Sequence, residues 1–278
     1  ARCADGPAIG IGCPYAFGEH LYNAYYILEG GEIKARVLKH NLPNETVFDE
    51  ERLYDSGAIS GPYRIGPLRI GTPICEDAWH EEVSETLAES GAEILLVPNG
   101  SPYYRGTFDT RMSHMVGRTV ETGLPLVYLN MVGGQDDQVF DGGSFVLNPG
   151  GKLALQLPVF ETAIAHVDFA LGPAGWRAEP GEMATFPDVW EQDYRVMVQA
   201  VRDYFGKTGF SQALLGLSGG VDSAIVATIA ADALGPDNVR CVMLPSEYTS
   251  DESLEDAGEV ARLLGTQLDT VSIAGPRA

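Results

Sequence analysis

Short apolar segments alternate with amphipathic segments along the first 170 residues. The apolar segments predict β-strands over residues 8–13, 24–28, 36–38, 69–74, 93–97, 126–129, 144–147 and 164–167. Apolar residues at helical spacing predict helices over residues 81–90 and 107–122, which end at Gly91 and Gly123. Strands this frequent, with helices between some of them, predict a layered α/β sandwich.

The pattern changes after residue 170. Residues 171–187 are rich in proline and glycine and predict a linker. Asp188 then predicts a helix N-cap, with Glu191 three residues later as a capping box, and we expect this helix to end before Gly206. Strands are predicted over residues 212–217, 239–244 and 267–273, and they alternate with helices over residues 222–234 and 251–264.

This strand–helix order predicts a parallel sheet of the doubly wound type. A complete doubly wound domain needs further strands and helices, so we expect the chain to hold only part of one. The sequence therefore predicts an α/β sandwich over residues 1–170, a linker over 171–187 and a partial parallel-sheet domain over 188–278.

The loop between the first strand and helix of the second domain has the sequence SGGVDS. Its glycines allow a close approach of the backbone to a ligand, and the helix N-terminus that follows favours a phosphate. The hydroxyls of Ser218 and Ser223 can donate to phosphate oxygens, and Asp222 would hold a Mg²⁺ beside them. The predicted phosphate-binding residues are Gly216, Leu217, Ser218, Gly219, Gly220, Val221, Asp222 and Ser223. The alternative is a glycine turn that opens a helix with a serine cap.

Composition excludes several classes of partner. The 278 residues are 45% apolar, enough for one large domain or two modest ones. Acidic residues number 39 against 18 basic residues, and the net charge of -21 argues against nucleic acid and anionic membranes. The four cysteines lack the spacing of a disulfide framework or a zinc site. Without a signal-peptide pattern or a membrane-spanning apolar run, we expect a cytoplasmic protein.

Three motifs in the first domain resemble one enzyme family. Lys39 begins a K-x-x-L-P-N segment, Glu50 lies in the sequence VFDEER, and Cys75 lies in ICEDAW at the end of a predicted strand. Together they resemble the carbon–nitrogen hydrolase (nitrilase-like) family, and more specifically the glutaminase domain of glutamine-dependent NAD⁺ synthetases. SGGVDS resembles the pyrophosphate loop of ATP pyrophosphatases, which implies that residues 216–223 bind ATP, with Asp222 holding Mg²⁺. The resemblance covers the whole chain and implies a nitrilase-like αββα sandwich followed by part of a Rossmann-like domain.

The resemblance implies roles for individual residues. Cys75 would attack the glutamine amide, Lys39 would stabilise the oxyanion, and Glu50 would orient Lys39. Ser101 and Glu76 would bind glutamine. We expect the family's general-base glutamate to lie before residue 1, and we expect Lys39 to lower the pKa of Cys75. The structural alternatives are a buried cysteine, a solvated surface lysine and an acid at a helix start.

Two positions depart from the family pattern. Glu45 stands where an aromatic residue usually lies, and Thr107 stands where a basic residue usually lies. Arg105 and Arg111 are close enough in sequence that one of them could replace the missing positive charge.

The implied activity is ATP-dependent amidation of deamido-NAD⁺ to NAD⁺ with ammonia from glutamine, with release of AMP and pyrophosphate. The implied enzyme is a carbon–nitrogen ligase that uses ATP and Mg²⁺ and forms a homo-oligomer at full length. We expect the 278-residue chain by itself to be inactive. The alternatives are a stand-alone carbon–nitrogen amidase, another amidotransferase of the pyrophosphatase group, and a non-catalytic nucleotide-binding remnant.

Overall fold

A computed structural model describes residues 5–45 and 47–274. These residues form two compact units. The first contains the chain up to Met131 together with Asp141–Phe186. The second contains Val132–Phe140 together with the chain from Pro187 onward. The second unit therefore takes one short segment from the middle of the first.

The strands of the described chain are β1 (Ile9–Phe17), β2 (His20–Glu29), β3 (Glu32–Leu38), β4 (Tyr63–Ile65), β5 (Leu68–Gly71), β6 (Ile94–Asn99), β7 (Leu126–Asn130), β8 (Val132–Gln135), β9 (Gln138–Asp141), β10 (Phe145–Asn148), β11 (Lys152–Gln156), β12 (Phe169–Gly172), β13 (Gly175–Ala178), β14 (Ala213–Gly216), β15 (Val239–Met243) and β16 (Gln267–Thr270). The α-helices are α1 (Glu81–Glu89), α2 (Thr107–Thr122), α3 (Val189–Thr208), α4 (Val221–Leu234) and α5 (Asp251–Leu264). Short 3₁₀ turns lie at Glu50–Arg52, Cys75–Ala78 and Pro236–Asn238.

The first unit is built on a six-stranded mixed sheet in the order β11-β10-β7-β6-β5-β4. Strands β5, β6 and β7 are parallel, whereas β10 pairs antiparallel with β7 and β11, and β4 pairs antiparallel with β5. Strand β6 is largely apolar and buried along its length, as expected for a central parallel strand. A separate antiparallel sheet contains β1, β2 and β3 in order.

The main core of the first unit lies between the six-stranded sheet and the helices α1 and α2. Tyr128 and Phe145 face each other on neighbouring strands, with stacked rings whose centroids lie 4.7 Å apart. Burying such large side chains removes a large apolar area from water, and this burial stabilises the sheet. The fully buried residues around this pair include Leu87, Leu95, Val97, Met115, Leu126 and Leu147.

Most of the predicted elements of this unit are present. Helix α2 has the predicted bounds, and it ends at Gly123, whose φ of 68° is left-handed. The strand predicted over residues 164–167 is wrong, because the strand begins at Phe169 and Ile164 is 92% exposed. Strands β12 and β13 form an antiparallel hairpin, so regular structure extends into the stretch where we expected a linker. The domain boundaries themselves stay a prediction.

The second unit contains a parallel sheet in the order β14-β15-β16. Asp188 caps α3, because its Oδ1 accepts from the N–H groups of Trp190 and Glu191 at 3.0 Å each. The helix continues through Gly206 and ends at Gly209, whose φ is 81°, so the predicted end was three residues early. The mixed α/β architecture predicted from the sequence is confirmed.

The hairpin of β8 and β9 joins the second unit through α3. Asp203 accepts a hydrogen bond from the Gly134 N–H, and Lys207 donates to the Gly134 carbonyl and to Gln135 Oε1. The glycines of the β8–β9 hairpin gave no periodic pattern of apolar residues, so this hairpin was not predicted from the sequence. None of the helices in the described chain combines the length and apolarity needed to cross a bilayer.

Candidate active site

The candidate site of the first unit lies at the carboxyl ends of the parallel strands. The Cys75 turn follows β5, Gly100 and Ser101 follow β6, and Asn130 ends β7. Parallel neighbouring strands bring their carboxyl ends to one edge of a sheet, so residues distant in sequence meet there. The topology therefore brings the predicted nucleophile and a predicted glutamine-binding residue to the same edge.

Cys75 begins its 3₁₀ turn in a strained conformation. Its φ is 49°, which is left-handed and uncommon for a residue other than glycine. The Gly100 N–H donates a hydrogen bond to the sulfur. Cys75 is partly exposed and lines a cavity, so the alternative of a buried structural cysteine does not describe it. A strained turn that presents a thiol to a cavity is typical of a nucleophile.

Lys39 is buried and paired with Glu50. Its side chain is 2% exposed, so it is not a solvated surface lysine. Its Nζ donates to both carboxylate oxygens of Glu50 at 2.8 Å. Glu50 begins a 3₁₀ turn, as the structural alternative supposed, but its carboxylate is directed to Lys39. This contact is the one expected of a glutamate that orients the lysine.

The structure corrects one expectation about Cys75. Burial raises the pKa of its thiol above the usual value, and the Lys39 charge and the Gly100 N–H only partly oppose this effect. Glu50 and Glu76 also raise this pKa through their negative charges. The expected lowering is therefore wrong, because burial outweighs the effect of the Lys39 charge and because the charge of Glu50 opposes it.

A cavity of about 1320 Å³ opens beside the thiol. Cys75, Glu76 and Ser101 all line it, so the predicted nucleophile and both predicted glutamine-binding residues face one space. The further charged and polar residues of its wall include His40, Asn41, Glu45, Glu51, Asp55, His80, Arg105 and Thr107. The wall of the cavity therefore carries both acidic and basic side chains.

Arg111 does not replace the missing positive charge. It is 1% exposed, and it pairs through Nη1 with both oxygens of Asp141 at 2.8 and 3.0 Å. Its Nε donates to Ser101 Oγ at 3.0 Å, and its Nη2 donates to the carbonyls of Ser101 and Pro102. All five of its N–H groups are thereby used within the protein. Arg105 lines the cavity, whereas Arg111 does not.

Three residues that shape this site were not predicted from the sequence. Asn130 accepts from the Ser101 N–H at 2.9 Å and donates to the Ser101 carbonyl at 3.1 Å. Asp141 holds Arg111, and Asp77 accepts main-chain N–H groups from both sides of the site. Asp77 is the third residue of the 3₁₀ turn that begins at Cys75, and an acid at that position is a recognisable cap signal.

The second unit presents the predicted phosphate loop at the carboxyl end of β14. Gly219 has a φ of 84°, and a Cβ there would lie 2.3 Å from the Ser253 carbonyl oxygen, so only glycine fits. The Ser218 and Ser223 hydroxyls lie 3.0 Å apart. Gly220 is the N-cap of α4 and supplies no side-chain cap, so the first N–H groups of the helix are not capped from within.

These residues fit a nucleotide phosphate with Mg²⁺. Main-chain N–H groups and two hydroxyls supply donors, and the exposed Asp222 in the first turn of α4 supplies a carboxylate. The described residues hold no cluster of three or more metal-binding side chains. One carboxylate suffices where phosphate oxygens complete the Mg²⁺ shell. Leu217 is 1% exposed, so it can contribute only through its main chain.

Comparison with known proteins agrees with both halves of the chain. Residues 4–174 match the carbon–nitrogen hydrolase family, and residues 193–278 match the NAD synthase family. The chain is 59% identical over its whole length to a glutamine-dependent NAD(+) synthetase of Rhodobacter capsulatus, and it covers 50% of that protein. It is 40% identical over 98% of its length to the Xanthomonas campestris pv. campestris (strain 8004) enzyme of the same name, again covering 50% of it. The chain thus spans about half the length of these relatives.

Solved structures confirm the predicted fold class. The glutamine-dependent NAD⁺ synthetase from Acinetobacter baumannii, solved with ADP, superposes with a TM-score of 0.91 at 35% identity, covering 98% of this chain and 52% of that one. The enzyme from Cytophaga hutchinsonii superposes with a TM-score of 0.76 at 20% identity over 96% of this chain and 52% of that one. The predicted resemblance and the nitrilase-like and Rossmann-like fold are therefore confirmed.

Proposed function

Because the chain belongs to the carbon–nitrogen hydrolase family, and its C-terminal part matches the NAD synthase family, we propose that it serves glutamine-dependent NAD⁺ synthesis. In this reaction, ATP adenylates the nicotinate carboxylate of deamido-NAD⁺, and ammonia from glutamine displaces AMP. The observation that carries the proposal is the buried Lys39–Glu50 pair, which acts on a cysteine that faces a cavity.

The proposed glutaminase step uses residues of the first unit. The Cys75 sulfur attacks the side-chain carbonyl carbon of glutamine, and the Lys39 ammonium stabilises the negative charge that develops on the oxygen. The carbon–nitrogen bond then breaks, and the proton lost from the thiol leaves with the nitrogen as ammonia. Water hydrolyses the resulting thioester to glutamate. Glu50 keeps Lys39 directed toward this centre, because it holds Nζ at 2.8 Å.

We further propose that glutamine lies in the 1320 Å³ cavity. Glu76 and Ser101 line this cavity beside Cys75, and Arg105 is the arginine that reaches its surface. Opposite charges on one wall are suited to the zwitterionic end of an amino acid, whose ammonium and carboxylate groups must both be paired. Ser101 is held in place by Arg111 and Asn130.

The proposed synthetase step uses the second unit. Ser218, Ser223 and the main chain of residues 216–223 would hold the ATP phosphates, and Asp222 would hold Mg²⁺. Bound Mg²⁺ would neutralise phosphate charge when the nucleotide is present. The cytoplasmic location and the homo-oligomeric assembly stay predictions.

NAD⁺ formation in the complete gene product tests the proposal. With deamido-NAD⁺ and Mg-ATP, we expect both glutamine and ammonium to support NAD⁺ formation in the wild type. Cys75→Ala should lose the glutamine-driven reaction and keep the ammonium-driven one. Glutamine hydrolysis with no NAD⁺ would indicate a stand-alone amidase. Mg-ATP binding without either reaction would indicate a nucleotide-binding remnant.

A further inference from the structure

Asp77 is a buried carboxylate that the proposed reaction does not use. Its side chain is 1% exposed. Three main-chain N–H groups donate to it, from His40 at 3.1 Å and Asn41 at 2.6 Å to Oδ1, and from Ile74 at 3.0 Å to Oδ2. A buried charge is costly unless it is fully hydrogen-bonded, so this arrangement requires a reason.

The three donors come from two segments that are far apart in sequence. His40 and Asn41 directly follow Lys39, whereas Ile74 directly precedes Cys75. One carboxylate therefore fastens the segment that carries the ammonium group to the segment that carries the thiol.

The same carboxylate also supports the strained turn of the nucleophile. Cys75 has a φ of 49°, and Ile74 before it is extended. The Asp77 N–H donates to the Ile74 carbonyl at 3.1 Å, while Asp77 Oδ2 accepts from the Ile74 N–H at 3.0 Å. This reciprocal pair closes the turn around Cys75, and a left-handed residue other than glycine persists only where its surroundings hold it.

We propose that Asp77 is a positioning residue that fixes the Lys39 ammonium group relative to the Cys75 thiol for attack on the amide. The inference rests on the proposed function, because it takes Cys75 as the nucleophile and Lys39 as the group that acts on it. Asp77 works through the main chain on both sides, since its own side chain is buried.

Replacing Asp77 can change the pKa of Cys75 in either direction. The direction separates a positioning role of Asp77 from a direct electrostatic effect of its charge. The charged and titratable groups that interact with the thiol are Lys39, Glu50, Glu76 and Tyr128, together with the Gly100 N–H. Removing the negative charge of Asp77 would by itself lower the pKa of Cys75. Releasing Lys39 from its place would raise that pKa, because the ammonium would stabilise the thiolate less.

The test is the pH dependence of Cys75 alkylation by iodoacetamide in the 278-residue chain, with each cysteine followed by mass spectrometry. The exposed Cys13 serves as an internal reference. We expect Asp77→Asn to raise the pKa of Cys75 by about one unit, which lowers the thiolate fraction about tenfold at pH values below that pKa and slows alkylation by a smaller factor, on the order of threefold. The matched control is Glu93→Gln. Glu93 also accepts a main-chain hydrogen bond, from the Arg69 N–H at 2.8 Å, but near the amino ends of β5 and β6, whereas Cys75 follows the carboxyl end of β5. This control should leave the profile unchanged.

A double-mutant cycle with Lys39→Met completes the test. If Asp77 acts through Lys39, Asp77→Asn should no longer raise the pKa of Cys75 in the Lys39→Met background, where only the lowering from the lost Asp77 charge remains. Asp77→Glu keeps the charge but displaces it, so it should also raise the pKa, and it decides the matter if Asp77→Asn does not fold.

The two possible failures are distinguishable. A Lys39→Met profile identical to wild type would contradict the proposed function. A Lys39→Met profile that shifts, while both Asp77 variants leave the pKa unchanged or lower it, would overturn only the positioning role.

Discussion

Replacing Arg111 by methionine should destabilise the first unit strongly. Arg111 and Asp141 have side chains that are 1% and 3% exposed, so the variant leaves a carboxylate buried without its partner. Breaking a buried ion pair from one side costs roughly 3–5 kcal/mol of the free energy of unfolding. The carbonyls of Ser101 and Pro102 also lose their donor, which places the expected loss near the upper end.

The assay is thermal unfolding followed by circular dichroism. For a unit of this size, 1 kcal/mol corresponds to roughly 2–4 °C, so Arg111→Met should lower Tm by roughly 6–20 °C. The control is Arg262→Met, because Arg262 and Glu259 form an exposed pair with side chains 67% and 55% exposed, and its loss should be hardly measurable.

A second variant separates the lost ion pair from the lost volume. Adding Asp141→Leu to Arg111→Met removes the unpaired charge, so the double variant should be more stable than the single one, with a coupling energy on the order of 2 kcal/mol. An Arg111→Met variant as stable as Arg262→Met would refute the reasoning, and so would strictly additive effects of the two substitutions.

Two further predictions concern single charges. Glu50→Gln keeps an acceptor for Lys39 but removes a charge that raises the pKa of Cys75. Iodoacetamide should therefore alkylate Cys75 faster in this variant than in the wild type at neutral pH. An equal or slower rate would show that Glu50 does not act on the thiol. Asp222→Asn should abolish the Mg²⁺-dependent part of ATP binding in calorimetric titration. The control is Asp237→Asn, beyond the other end of α4, which should leave that part unchanged. Equal Mg²⁺ dependence in both variants would remove Asp222 from the site.

The sequence predicted the regular elements well where periodicity was strong. Helix α2 has its predicted bounds because its apolar residues recur at helical spacing and Gly123 ends it. The segment over residues 164–167 has an alternating pattern, and Ala165 and Val167 pack against a core cluster while Ile164 is 92% exposed, but no described strand pairs with it. Local pattern alone does not reveal whether a partner strand exists.

The candidate site was likewise predicted from the sequence only in part. Motifs pointed to Cys75 and Lys39, but the role of Asp77 depends on partners 36 and 37 residues away, which no local pattern contains. The direction of the Cys75 pKa was wrong for a related reason. The sequence shows which charges exist, whereas the burial of Cys75 and the pairing of Lys39 with Glu50 depend on the folded chain.

The central claim is that Cys75 is a nucleophile for a glutamine side chain. Its most direct test is labelling with an L-glutamine analogue that carries a diazomethyl ketone in place of the amide, followed by mass spectrometry of each cysteine. We expect an adduct on Cys75 that forms with saturation, is slowed by L-glutamine and is absent with the D-analogue. Labelling of the exposed Cys13 but not of Cys75, or labelling that L-glutamine does not slow, would contradict the account.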